Sequence, residues 1–198
     1  MGRLLYDAHT VACTILAALG SITTQQANPT KNWMKKVKQL LNYAANHTNT
    51  IGTYRASDMV LVAHSNTSYL SKSNARIQVG RYFTMSNNNP NPLNNRATLT
   101  IAQIIKAVMS SATEAGIWAL YINLYEGIPA RHTIKEMGHP QLPMPMHTDN
   151  TIALGVAPNT IQPKCTKAMD MRFHWLRCRM LQKQFWNYWC AGPTDKGG

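Results

Sequence analysis

Few side chains in this sequence are able to do chemistry, and those that stand out are acids in a basic background. Lys and Arg total 20 against 8 Asp and Glu, a formal net charge of +12. Glu114 in SSATEAG and Asp149 in MPMHTDN fall where predicted elements meet. A third position is defined by what it lacks. In MVLVAHSNTSY, residues 59 to 69, an apolar run turns polar where a buried strand would emerge at a sheet edge, and the residue there is Asn66. Carboxylates brought close together can hold divalent cations, and a pair of ions serves phosphodiester hydrolysis, one sharpening the attacking water and another steadying the leaving oxygen. Ions about 4 Å apart repel unless anionic oxygens lie between them, and magnesium asks for oxygen ligands in near-octahedral array. Taken alone, Glu114 is a first-turn acid favoured by the helix dipole, and Asp149 a turn or cap residue before Asn150. His174 and Cys178, four apart on a predicted helix, could share a metal, yet no other close pair of ligands completes a tetrahedral site. Ordinary helix packing accounts for them as well.

The basic excess names a class of partner. A polyanion such as nucleic acid is the natural one, with anionic membrane as the competitor, and charge alone carries no sequence or strand preference. Four cysteines, Cys13, Cys165, Cys178 and Cys190, show no C-x-x-C spacing, which favours reduced thiols in an intracellular protein. VACTILAALGS loosely resembles a signal-peptide core, but Asp7 and His9 interrupt its approach. Its apolar run is also short of the roughly 20 residues that a membrane span needs, so a buried helix is expected and secretion is the minor alternative. The sequons at Asn46 and Asn66 matter only in that alternative.

The elements that must position the acids follow from periodicity. Residues 4 to 19 are helix-like, and Asn28-Pro29-Thr30 punctuates a second helix over 31 to 45. There Trp33, Val37, Leu40, Leu41 and Ala44 recur at helical spacing, while Lys31, Lys35, Lys36 and Lys38 lie mostly elsewhere on the cylinder. The lysines are either a solvated face or contacts to nucleic-acid phosphates. Strands are predicted over 59 to 66, 76 to 86 and 97 to 105, as an antiparallel meander with an Asn- and Pro-rich loop before the third. Ser110-Ser111 caps a helix whose stripe is Ile117, Leu120, Tyr121, Leu124 and Ile128, and Pro129 starts a further helix ending near Gly138. MPMHTDN is a short strand, a brief helix follows Asn150, a longer helix spans 167 to 183, and QFWNYW closes as a strand. Three strands, helix, strand, helix, strand is α/β with a mixed sheet, the later strands added in parallel through helical crossovers.

Three segments, SSATEAGIWALYIN, HTDNTIALG and TKAMDMRFHWLR, stand in the order and spacing of the ribonuclease H domain of copia-type retrotransposon polyproteins, which they resemble. The upstream stretch from YDAHTVACTILAALG to IGTYRAS resembles the end of the preceding reverse transcriptase and its connection. The resemblance covers essentially the whole chain. It implies a reverse-transcriptase remnant over residues 1 to 57 and a ribonuclease H-like domain, truncated at its C-terminus, over 58 to 198. It also implies an RNA–DNA hybrid as substrate and two Mg²⁺ ions on four carboxylates: a first-strand Asp, a first-helix Glu, an Asp ending the fourth strand and a late Asp. The matched positions are Asn66, Glu114, Asp149 and a point near Gly198. Two of the four are therefore acids. An Asn offers one neutral carbonyl oxygen where the family has two charged ones, and a unit charge about 4 Å away is worth roughly 4 kcal/mol at an effective dielectric near 20. Asp58, eight residues back along the strand, would be some 26 Å off. Asp195 substitutes for the late acid only if its loop folds back, and Asp170 is an early-helix residue supporting the fold.

The reading that results is a degenerate ribonuclease H-like protein, catalytically inactive, with weak or no Mg²⁺ binding at Glu114 and Asp149 and residual nucleic-acid binding. Phosphates would meet Lys31, Lys35, Lys36 and Lys38 near the N-terminus and Arg172, Arg177, Arg179 and Lys183 on the last long helix. Trp175, Trp186, Tyr188 and Trp189 are either stacking platforms or, as alternating strand positions more often are, core. The alternatives are a working Mg²⁺-dependent ribonuclease H and a basic, secreted binding protein reusing the fold. Apolar surface on the N-terminal helices points to self-association.

Overall fold

The computed structural model describes residues 2–49, 51–72, 76–88, 95–150, 155 and 167–190. Its centre is a sheet of β1 (Val60–Lys72), β2 (Arg76–Ser86), β3 (Ala97–Ile105), β4 (Met144–Thr148) and β5 (Phe185–Trp189), in the order β3-β2-β1-β4-β5. The first three strands pair antiparallel, and β4 and β5 add in parallel beside β1. Parallel neighbours need long crossovers. α4 (Ala112–Glu136) and α5 (Lys167–Leu181) lie in those connections. β1 continues past residue 66 because β2 pairs with it as far as Ser68↔Gln78 and again at Lys72↔Arg76, across a bulge at which Leu70 takes φ 53°.

Alternation decides what each strand residue meets. Leu61 and Ala63 face α4 and join Leu120, Leu124, Met144, Met146, Leu176 and Phe185 in the main core. Ser65, on the same face, accepts a 2.5 Å hydrogen bond from Nδ2 of the fully buried Asn123 on α4. His64 and Asn66 point to the opposite face. A side chain such as Leu124 or Phe185 contributes about 1.5–3 kcal/mol by leaving water, so this core is what holds the strand ends in register.

α4 differs from the expectation of two helices meeting at Pro129. It is one helix with Pro129 inside it. A proline there forfeits one backbone hydrogen bond, yet Ile128 and Ile134 are both buried in the main core. Their shared burial keeps the two halves in line. The first predicted helix, by contrast, is broken. α1 (Gly2–Thr10) ends where the amides of Val11 and Ala12 both donate to the Asp7 carbonyl, and a 3-10 turn at Cys13–Ile15 leads into α2 (Leu16–Thr23). The apolar spacing served both segments and so concealed the break. α3 (Lys31–Asn46) starts as expected, with the Thr30 hydroxyl accepting from the Trp33 amide at 3.1 Å. Ala8, Ile15, Leu16, Leu19, Ile22 and Leu40 form a second core, closed by Ala102 of β3. The N-terminal helices therefore cover the β3 side of the sheet face that α4 leaves open.

Candidate functional site

β1 and β4 run in parallel with Ala63↔Met146, His64↔His147 and Ser65↔Thr148 opposite each other. The next residue on each is a candidate: Asn66 on one chain segment, Asp149 on the other. The two line one cavity of about 330 Å³, together with His64, His147 and residues of the α2 region such as Leu16 and Ala17. The sequence repeats this geometry, His-Ser-Asn on β1 and His-Thr-Asp at β4. Two parallel strands with matched endings were a legible sign that both candidates belong together, and sequence reasoning missed the histidines. Their rings stack with centroids 4.7 Å apart, Tyr188 of β5 stacks on His147 at 5.6 Å, and Tyr82 meets His64 edge-on at 6.1 Å. Burial pulls both imidazoles below their ordinary pKa, with the neighbouring His147 charge a further cause at His64.

Glu114 is elsewhere. It lies in the first turn of α4, on the other side of the sheet from Asn66, and its carboxylate accepts from the amide of Ser110 at 2.8 Å and its hydroxyl at 2.7 Å. Ser111 in turn accepts from the Glu114 amide at 3.1 Å. This is reciprocal capping of the helix start, and the nearby Arg172 guanidinium draws on the same carboxylate. Asp149 is exposed and has no hydrogen-bond or ion-pair partner among the described residues. Asn150 joins the two regions: its amide lies against α4 so closely that any side-chain carbon at Gly116 would collide with it.

As a donor set these residues do not fit a pair of magnesium ions. One neutral amide and one carboxylate share the cavity, and the second acid is engaged in a cap. Among the described residues no group of three or more His, Cys, Asp or Glu is arranged to hold a metal ion. Asp195 and Gly198 lie outside the described residues, as do the brief helix expected after Asn150 and the side chain of Asp170. His174 and Cys178 are exposed on α5, and Cys178 Sγ accepts from Gln182 at 3.4 Å.

The expected phosphate contacts divide. Lys31, Lys35, Lys36 and Lys38 all stand exposed on α3. On α5, Arg172 instead lies 3.3 Å from the ring centroid of Trp118, and Arg179 lies 5.1 Å from that of Trp175 while its Nη1 donates to Gln182. Burial lowers the Arg172 pKa from its ordinary value, with Tyr121 and Glu114 opposing the shift. The first of these cation–π contacts ties α5 to α4, and the second lies within α5. Arg177 is half-buried, and Lys183 is exposed in the left-handed turn that ends α5. Trp175 packs partly against the main core, but Trp186, Tyr188 and Trp189 are 42%, 48% and 56% exposed. Of the two alternatives that alternation left open, exposure is the one found: β5 is an edge strand, and these side chains have no covering element among the described residues.

The retrovirus-related Pol polyprotein from transposon TNT 1-94 of Nicotiana tabacum is 25% identical to this chain over 178 residues, 89% of the chain. The chain is similar to this retrotransposon Pol polyprotein over most of its own length. It spans 13% of that polyprotein's length. No family model matches the sequence. Among solved structures, a foamy viral protease-reverse transcriptase dRH in complex with double-stranded DNA aligns over 98% of this chain and 31% of its own, with a TM-score of 0.51 at 11% identity. LC11-RNase H1 in complex with an RNA/DNA hybrid aligns over 70% of this chain and 88% of its own, with a TM-score of 0.46 at 8% identity. The fold is a mixed five-stranded sheet with flanking helices, preceded by N-terminal helices.

Proposed function

We propose that this ribonuclease H-like chain binds nucleic acid, an RNA–DNA hybrid by descent, without cleaving it. The observation that carries the proposal is the amide of Asn66 beside Asp149 in one cavity, with the carboxylate of Glu114 turned to Ser110. Two dications there would face one uncancelled negative charge. Binding asks for less: a net charge of +12 and the four exposed lysines of α3 supply phosphate contacts with no metal. The relatedness to a Pol polyprotein supports the choice of ligand. Residues 1 to 57 are the reverse-transcriptase-derived part in this account, residues 58 to 198 the ribonuclease H-like part, and the setting is intracellular.

A Mg²⁺-dependent ribonuclease H is the second reading, favoured by the exposed Asp149 beside the matched position. Isothermal titration of the full chain with MgCl₂ separates them. Binding too weak to saturate at millimolar metal, strengthened at least tenfold by Asn66→Asp and abolished again by Asp149→Asn in that background, supports the proposal. Tight binding of two ions by the unaltered chain overturns it.

A further inference from the structure

Past Asn66, β1 runs on to a bulge, and the hairpin beyond it meets the N-terminal helices. Between them lies a second cavity of about 300 Å³, lined by Ser21, Thr24 and Gln25 of the α2 end, Lys36 of α3, Ser71 and Arg76 of the hairpin, and Ile104 of β3. Its lining holds two cations and no acid. Neither Lys36 nor Arg76 has an ion-pair partner among the described residues, and the side-chain amide of Gln25 has no hydrogen-bond partner there either. The three hydroxyls donate at present to local carbonyls, Ser21 to Ala17, Thr24 to Ser21 and Ser71 to Ser68. Each can rotate toward an acceptor placed in the cavity. The fold thus singles out one lysine of the four on α3 and brings an arginine forty positions later to it, against their mutual repulsion.

We propose that this cavity is a phosphate-binding site, built jointly by the N-terminal helices and the β1–β2 hairpin. Its ligand is a tetrahedral phosphate oxyanion, accepting charge-assisted hydrogen bonds from Lys36 and Arg76 and a neutral one from Gln25. The source assigned to it, a backbone phosphate of nucleic acid, rests on the proposed function. Ser71 lies at most about 16 Å of strand beyond Asn66 at roughly 3.3 Å per residue, about five base steps of 3.4 Å. Along β1 the two cavities are thus no farther apart than about five base steps of a duplex.

Two arms test the site and its source separately. In the first, the ¹⁵N-labelled full chain is titrated with inorganic phosphate. Saturable shifts confined to residues 21 to 25, Lys36, Ser71 and Arg76, lost in Arg76→Gln and in Lys36→Gln but kept in Lys135→Gln, support the site; shifts spread over many lysines, or shifts that survive both substitutions, overturn it. In the second, a short RNA–DNA hybrid is titrated at several salt concentrations. Loss of one phosphate contact lowers the slope of log K against log salt by about 0.9, expected for Arg76→Gln and not for Lys135→Gln. Equal slopes in both variants overturn the backbone source. No hybrid binding by the unaltered chain, with localised phosphate shifts intact, overturns the proposed function and leaves the oxyanion site standing. Unchanged amide dispersion in each variant shows that the fold is retained.

Discussion

At the residue scale, the site is governed by pairs rather than single groups. Ser65 and Asn123 are both buried, one hydrogen bond joins them, and the Asn123 Oδ1 has no partner among the described residues. Ser65→Ala leaves the whole Asn123 amide unpaired and is expected to cost about 1–3 kcal/mol, while Ser65→Ala with Asn123→Leu, which removes both polar groups, recovers most of that loss. Urea unfolding of the three proteins measures it. His64 and His147 form a second pair. Both have folded-state pKa values below the ordinary imidazole range, so the unfolded chain gains protons first as pH falls through about 6.5. Stability is therefore full above that pH, declines below it, and levels off under the folded values. Thermal unfolding midpoints should drop between about pH 7 and pH 5, modestly since His64 keeps contact with water, and His147→Phe should flatten the drop while preserving the stack. None of this was legible in isolated motifs. Glu114 as a capping acid was legible, because Ser110-Ser111 and an acid three positions on form a local pattern that needs no tertiary knowledge.

At the element scale, periodicity located every strand and missed two helix boundaries for opposite reasons. Strand alternation around Ile77, Val79 and Phe83 is enforced by one-sided packing on α4, so pattern and structure agree. Pro129 is a local signal that tertiary burial overrides. An interior proline costs about 3 kcal/mol in a helix, so Pro129→Ala is expected to raise stability by about 1–3 kcal/mol. Gly127→Ala, two residues earlier, has the opposite sign: its Cβ would lie 2.8 Å from Met144 Cε and 3.0 Å from Phe83 Cε1. Overpacking costs about 1–3 kcal/mol against about 1 kcal/mol of helix propensity regained, a net loss near 1 kcal/mol. Guanidinium unfolding of the two variants distinguishes the signs. For the aromatics of β5 the sequence left platform and core both open, because alternation says which face a residue shares, not whether anything covers that face.

At the scale of the whole molecule, two properties follow from surfaces rather than from any site. Leu5, Tyr6 and Val11 near α1 and Met34, Leu41 and Tyr43 on α3 are all at least 40% exposed, on helices whose other sides close the second core. Self-association is the expected result. Sedimentation velocity should show a weight-average mass rising with concentration, and Tyr6→Ser with Met34→Ser should return it toward the 22.2 kDa monomer. The second property is cationic. Its charge excess was legible from composition, but how it is distributed was not: α5 turns Arg172 and Arg179 onto Trp118 and Trp175, while α3 leaves its lysines to solvent. The phosphate contacts proposed above are therefore assigned first to the lysines of α3. No helix among the described residues is long and apolar enough to cross a membrane.

Binding and cleavage are separable in this account, and one experiment asks for both. A hybrid labelled on its RNA strand is incubated with the full chain, first in EDTA and then with excess Mg²⁺, with anisotropy and gel analysis of the same samples. The predicted result is equal affinity in both conditions and an intact RNA strand throughout. Affinity that requires Mg²⁺, or RNA cut in its presence and spared by Asp149→Asn, contradicts it.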